Sequence, residues 1–247
     1  MTYEQGIEKL DALIASKWEA FLSRPQALHF GESLMGKDRR VYAMYLTQIY
    51  HYTYHTARNQ ALVAVNRDNT NIHYMQFCLE HALEETGHEW MAVHDLRHIG
   101  VSMEDPEKEM PPALPETELL VAYLYWVSTH GPVVQRLGYS YWAEKSYDLI
   151  GPFVESMVGN MGLSKSQITF YYNHAQIDDK HAKDVENILA KVCTTEADWA
   201  AVMRTASTTI DLTHRMIEAV IREYHRLTSG EDDTFAIVNQ LTEAQPA

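Results

Sequence analysis

Three side chains able to hold a metal ion recur at helical spacing in the run Asn173-His174-Ala175-Gln176-Ile177-Asp178-Asp179-Lys180-His181. At 100° per residue, His174, Asp178 and His181 fall within roughly 60° of arc on a helix, one above another over two turns. A near-copy precedes it: His81, Glu85 and His88 repeat the order His-x-x-x-acid-x-x-His. With 13 His and 34 Asp plus Glu in 247 residues, one such pattern is expected about 0.1 times in random order, and two copies in well under about 1% of random chains. Partly buried or capping histidines that merely share helix faces would leave that coincidence unexplained. Amphipathicity clusters polar residues, but it does not select imidazole.

The number of ligands sets the number of ions. His81 or Glu84, with Glu85 and His88, and then His174, Asp178 and His181 give roughly six protein ligands, more than one open catalytic ion would use. Two ions are therefore expected, and a bridging carboxylate is still needed from a helix between. Glu144 is the best candidate. It is a lone acid in the aromatic stretch Gly138-Tyr139-Ser140-Tyr141-Trp142-Ala143-Glu144, and a buried carboxylate is costly unless paired or metal-bound. The alternative is that Glu144 pairs with Arg136 or Lys145. Mixed oxygen and nitrogen donors suit iron(II) first and manganese(II) second, and neither Cys78 nor Cys193 sits in a ligand pair. Open positions on such ions bind dioxygen, so the chemistry implied is oxidation of an organic molecule.

The elements that must position these residues are helices. From Tyr3 to Arg24, Ile7, Leu10, Leu13, Ile14, Trp18 and Phe21 recur at three- and four-residue steps, and Pro25 ends the run. Asp38 to Asn66 reads as a second helix, and a third runs from a cap at Asn69-Thr70-Asn71 to His98 before Gly100. Four prolines make 101–115 a loop. Glu116 to Thr129, Val133 to Met161 (kinked at Gly151-Pro152), Ser164 to Cys193 and Thr195 to Thr228 follow as four more helices. The pattern predicts an all-α bundle of seven helices with no strand. Residues 1–229 read as a single domain, and 230–247 as a loosely attached C-terminal tail.

The composition narrows the partners. A formal net charge of −14 without a basic cluster argues against nucleic acid. No apolar run is long enough to span a bilayer, and the first residues lack a secretory pattern, so no membrane contact and a cytoplasmic location are expected. Two cysteines are too few for a disulfide framework and fit a reducing compartment. A homodimer is expected for a bundle of this size.

The second helix is rich in rings with polar tips. Tyr50, Tyr54 and Arg58 share one face, and His51 and His55 another. Such residues either span core and surface in an ordinary amphipathic helix or form a wall on which Arg58 or a nearby Tyr holds a substrate carboxylate. The His/Tyr-rich wall favours a small polar carboxylate, such as an amino acid, over a long alkyl chain.

At these residues the sequence resembles the heme-oxygenase-like diiron oxidases, whose seven-helix fold also carries thiaminase-like and pyrroloquinoline-quinone-synthase-like proteins. The resemblance covers most of the chain in helix order, though only three short motifs are specific. It implies a ligand set of Glu85 and His88, then Glu144, then His174, Asp178 and His181, with Glu85 and Asp178 central to catalysis, two Fe(II) ions and O2 as co-substrate. The run from His174 to His181 is similar to that of the alkene-forming fatty-acid decarboxylases. One position departs from some members, which place an acid seven residues before the first-helix His; here it is His81. That leaves Glu84 competing with Glu85, and His81 as either an extra ligand or a residue orienting a carboxylate. The resemblance implies oxidative C–C cleavage, desaturation or related chemistry. The alternatives are fatty-acid decarboxylation, a metal-free thiaminase-like enzyme, and a non-catalytic iron-binding helical protein.

Overall fold

The computed structural model describes residues 1–25 and 38–243, and for 146–150, 152–154, 156–157, 173–179 and 243 the backbone path alone. Among the described residues there is no strand, and eight helices exceed ten residues: α1 (Tyr3–Leu22), α2 (Arg40–Ala64), α3 (Ile72–Glu84), α4 (Glu89–Ile99), α5 (Pro115–Thr129), α6 (Leu137–Met161), α7 (Thr169–Val192) and α8 (Glu196–Ser229). None is long and apolar enough to cross a membrane.

Local sequence sets the ends. Thr2 and Thr195 open α1 and α8 with reciprocal side-chain and backbone bonds to Gln5 and Asp198, and Asn71 accepts from the amides of His73 and Tyr74 at the start of α3. α2 has 25 residues without Gly or Pro and is the central rod. It packs on α3, α4, α5 and α8, while α6 lies between α7 and α8. Leu46, Ile49, Val63, Leu96, Leu120 and Val220 are fully or almost fully buried in one continuous core, each side chain of this size contributing about 1.5–3 kcal/mol. At Gly138, a Cβ would lie 2.1 Å from the carbonyl oxygen of Val202. Backbone contact between α6 and α8 therefore requires glycine there.

Two expectations change. The single helix expected from Asn71 to His98 is two helices, broken at residues 85–88, which raises the count from seven to eight. The expected loose tail is docked over its described part. Phe235, Val238 and Leu241 are buried, and Gln240 exchanges hydrogen bonds with the backbone of Ser102. These three apolar residues recur at three-residue steps but over too few turns to stand out as a helix, yet they suffice to bury a short segment. Residues 244–247 lie outside the described residues.

Candidate metal centre

The break between α3 and α4 builds the first half of the site. Glu85 follows the last turn of α3, its amide donating to the carbonyl of His81. Gly87 then takes φ 92°, a left-handed conformation that a side chain resists, and His88 opens α4. The turn folds His88 back on Glu85, with Nδ1 3.2 Å from Oε2. The sequence template thus converges, but through a tight turn rather than along one helical strip. Thr86-Gly87 was the signal for it.

Glu144, on α6, reaches into the same place. Its Oε1 lies 3.1 Å from His81 Nε2 and its Oε2 3.4 Å from His181 Nδ1 of α7. One donor atom from each of His81, Glu85, Glu144 and His181 falls within 4.8 Å of the others. All four are buried or nearly so. Glu144 therefore pairs with neither Arg136 nor Lys145; Lys145 binds Glu186 at 2.9 Å on the outside of the bundle. Glu84 stands at the rim, 3.0 Å from His181 Nε2 and 2.7 Å from Lys180. The side chains of His174 and Asp178 lie outside the described residues; the backbone carrying them is α7, about two turns and one turn before His181, respectively.

The acids are ionised despite burial. Burial pushes the Glu144 carboxyl up, but hydrogen bonds from His181 and His81 outweigh it and bring it down to about 2. Burial likewise raises Glu85, and its bond to His88 more than offsets this. The bond to Glu144, opposed by burial, raises His181, so its imidazole tends to hold a proton. The donor set fits a hard or borderline divalent cation, and one observation points to it. Among the described residues, His81 Nδ1 is buried with no hydrogen-bond partner, a state that normally costs about 1–3 kcal/mol and that a bound ion would relieve.

A residue not singled out from sequence holds the two halves together. Asp95 of α4 is wholly buried and accepts from the Thr169 amide (2.8 Å), the Thr169 hydroxyl (2.6 Å) and the Phe170 amide (3.0 Å) at the start of α7. A carboxylate at a helix N-terminus satisfies free amides and complements the dipole. It thereby ties the helix after His88 to the helix bearing His181.

Beside the cluster is an inner cavity of about 120 Å³, walled by His81, Glu85 and Glu144 and by Tyr45, Tyr52, Tyr139, Tyr171 and Arg136. The substrate residues expected on α2 are elsewhere. Tyr54 and Arg58 are exposed, the guanidinium stacked 4.0 Å over its neighbour's ring; Tyr50 is buried against His51 and Tyr54. His51 binds the Pro111 carbonyl at 2.6 Å, and His55 the Tyr125 hydroxyl at 2.9 Å, in a separate surface depression. The cavity faces the strip of Tyr45, Tyr52 and Thr56, rotated around the helix from Tyr50, Tyr54 and Arg58. Both strips carry polar-tipped rings, so composition could not choose between them.

The all-α arrangement of the described residues is that of the heme-oxygenase-like fold, as the comparisons with known proteins show. The family described as iron-containing redox enzyme matches residues 43–214, and the chain belongs to it. It is similar to a domain of unknown function with a heme oxygenase-like fold from Shewanella denitrificans OS217, at 39% identity over 91% of this chain and 95% of that one, with a TM-score of 0.85. A TenA family transcription regulator from Silicibacter sp. TM1040 (15% identity, 87% and 96% coverage, TM-score 0.66) and a TenA homologue from P. horikoshii OT3 (14%, 88% and 98%, 0.67) share the fold. No curated protein matches.

Proposed function

We propose that the chain is a non-heme diiron oxidase or oxygenase that uses O2 to oxidise a small, amino-acid-like carboxylate. The observation that carries this reading is the convergence of His81, Glu85, Glu144 and His181 on one buried point in the wall of a cavity. His81, Glu85, His88, Glu144 and His181, with His174 and Asp178 by their helical spacing, would hold two Fe(II) ions, Mn(II) being the second choice. Iron bound there would supply dioxygen binding and the electrons for its reduction.

The chain's own residues shape the rest. Burial raises the hydroxyls of Tyr52 and Tyr171 well above their ordinary range and Tyr139 to about 12, so these phenols stay neutral and can donate hydrogen bonds into the cavity. A cavity of about 120 Å³ approaches the roughly 150 Å³ that accommodates benzene. That size supports an amino-acid-like carboxylate over the long chain of a fatty-acid decarboxylase substrate. A metal-free thiaminase-like reading is less well supported, because burial raises the thiols of both Cys78 and Cys193 to about 12 and neither would act as a nucleophile near neutrality. A homodimer and a cytoplasmic location belong to the same reading and rest on sequence alone.

The test is anaerobic loading with Fe(II) followed by mixing with oxygen in a stopped-flow spectrometer, screened over amino acids and fatty acids. A substrate-triggered absorbance and oxygen uptake are expected, and both should vanish in Asp178→Ala with helix content retained. Undiminished uptake in that variant overturns the assignment. Metal binding with no substrate-dependent uptake would instead fit the non-catalytic iron-binding reading.

A further inference from the structure

We propose that Arg136 is the carboxylate anchor of the cavity beside the metal cluster, so that the substrate is held as a small organic anion by a buried guanidinium. The proposal deepens the oxidase reading and rests on it. Arg136 sits at the start of α6, two turns before Glu144, is 1% exposed, and lines the same cavity as Glu85 and Glu144. A charge this deep is normally matched by an adjacent carboxylate. Among the described residues, Arg136 has no ion-pair partner within 4.0 Å.

Its contacts are neutral and incomplete. Nε and Nη2 both donate to Asn59 Oδ1, at 3.0 and 2.7 Å, and Nη1 donates to Ser140 Oγ at 2.9 Å. The guanidinium lies 4.5 Å over the ring of Tyr139, another cavity residue. Of five N–H groups these three are used, leaving one on each terminal nitrogen free to donate to a carboxylate. Asn59 holds the group in place by its amide oxygen without neutralising it. Glu85 and Glu144 balance the charge only at a distance, and a cation bound at the cluster would claim that balance. The arrangement is therefore one negative charge short, in a cavity that takes about six non-hydrogen atoms. Arg58, out on the surface, cannot serve this role.

The experiment uses the full chain, Fe(II)-loaded under argon and, in parallel, metal-free. Butyrate, L-2-aminobutyrate and the uncharged isostere butyramide are titrated against tryptophan emission, which Trp18 and Trp142 in the cavity wall report. At least one acid should bind at least tenfold more tightly than the amide, and Arg136→Gln should abolish the difference. A second variant covers misfolding of the first. Asn59→Asp supplies the missing partner inside the protein, so it should raise the thermal midpoint while weakening acid binding at least tenfold and leaving Fe(II) stoichiometry unchanged. Equal affinities for acid and amide, no binding of either acid, or full acid binding in Asn59→Asp each overturn the proposal. Failure of Fe(II) binding in the unsubstituted chain would sink the oxidase reading separately, because the metal-free titration still reports on Arg136.

Discussion

Glu144→Gln in metal-free protein tests the charge organisation of the cluster most directly. Glutamine copies the shape of a neutral carboxyl, so the change removes the charge while keeping the packing. Lowering of the Glu144 carboxyl from its ordinary 4.5 to about 2, at 1.36 kcal/mol per tenfold change in acidity, corresponds to about 3 kcal/mol of stability. Because the folded value lies below the unfolded one, that stability is fully present above about pH 5 and is lost as pH falls toward about 2. His181 works in the opposite sense. Its raised folded value favours the fold below its ordinary 6.5, and that contribution disappears as pH rises through the folded value. The difference between wild type and variant should therefore peak between these limits and narrow on both sides. Urea unfolding followed by circular dichroism, with chelator present, should show a midpoint lower by on the order of 1 M near pH 6. A loss under about 1 kcal/mol there, or a difference that persists unchanged to about pH 2, would refute the reasoning.

Three other substitutions probe how the site is held. Gly87→Ala meets no neighbouring atom but forces a side chain onto φ 92°; it should cost about 1–2 kcal/mol, lower the melting temperature by a few degrees and weaken Fe(II) binding, and an unchanged calorimetric midpoint would count against the turn. Asp95→Asn removes the charge that gathers three donors at the start of α7, with an expected loss of about 1–2 kcal/mol and weaker metal binding by titration; wild-type values for both would show that the cap does not set the helix. Arg58→Ala, on the exposed face, should change stability by less than about 0.5 kcal/mol and leave oxygen uptake intact, whereas lost uptake would return the surface strip of α2 to the substrate site.

Much of the fold was legible because long amphipathic rods write their periodicity plainly. Pro25, Asn71 and Thr195 marked ends that the structure keeps within a residue or two, and the last long helix runs one residue past the expected Thr228. The misread element was the segment from His81 to His88, where ligand residues at three- and four-residue spacing imitate helix periodicity across a turn. Only Gly87 distinguishes the two, and glycine inside a helix is merely costly, not forbidden. The cluster members on separate helices were legible by residue type. Asp95 and Arg136 were not, because their roles depend on which distant atoms arrive beside them: three donors at the start of α7 in one case, an amide oxygen and no carboxylate in the other. On α2 the sequence offered two ring-rich strips, and only the arrival of distant residues, such as Tyr171 of α7 stacked on Tyr45, decides which one lines the cavity.

The protonated state of the cluster also explains why the site can hold its shape before a metal arrives. Three helices and a turn bring Glu85 and Glu144 into the interior, and two unpaired carboxylates there would repel each other and resist burial. His88 lies against Glu85, and His181 lies between Glu144 and Glu84, so positive imidazole charge occupies the region a cation would take. A metal must displace the His181 proton, so its apparent affinity should rise with pH until that imidazole is already neutral. His81 differs, since among the described residues its Nδ1 has no hydrogen-bond partner. The chain thus keeps two kinds of donor at one point, an imidazole held by carboxylates that stabilises the metal-free fold and an imidazole nitrogen left unsatisfied by it, whose burial a bound ion would relieve.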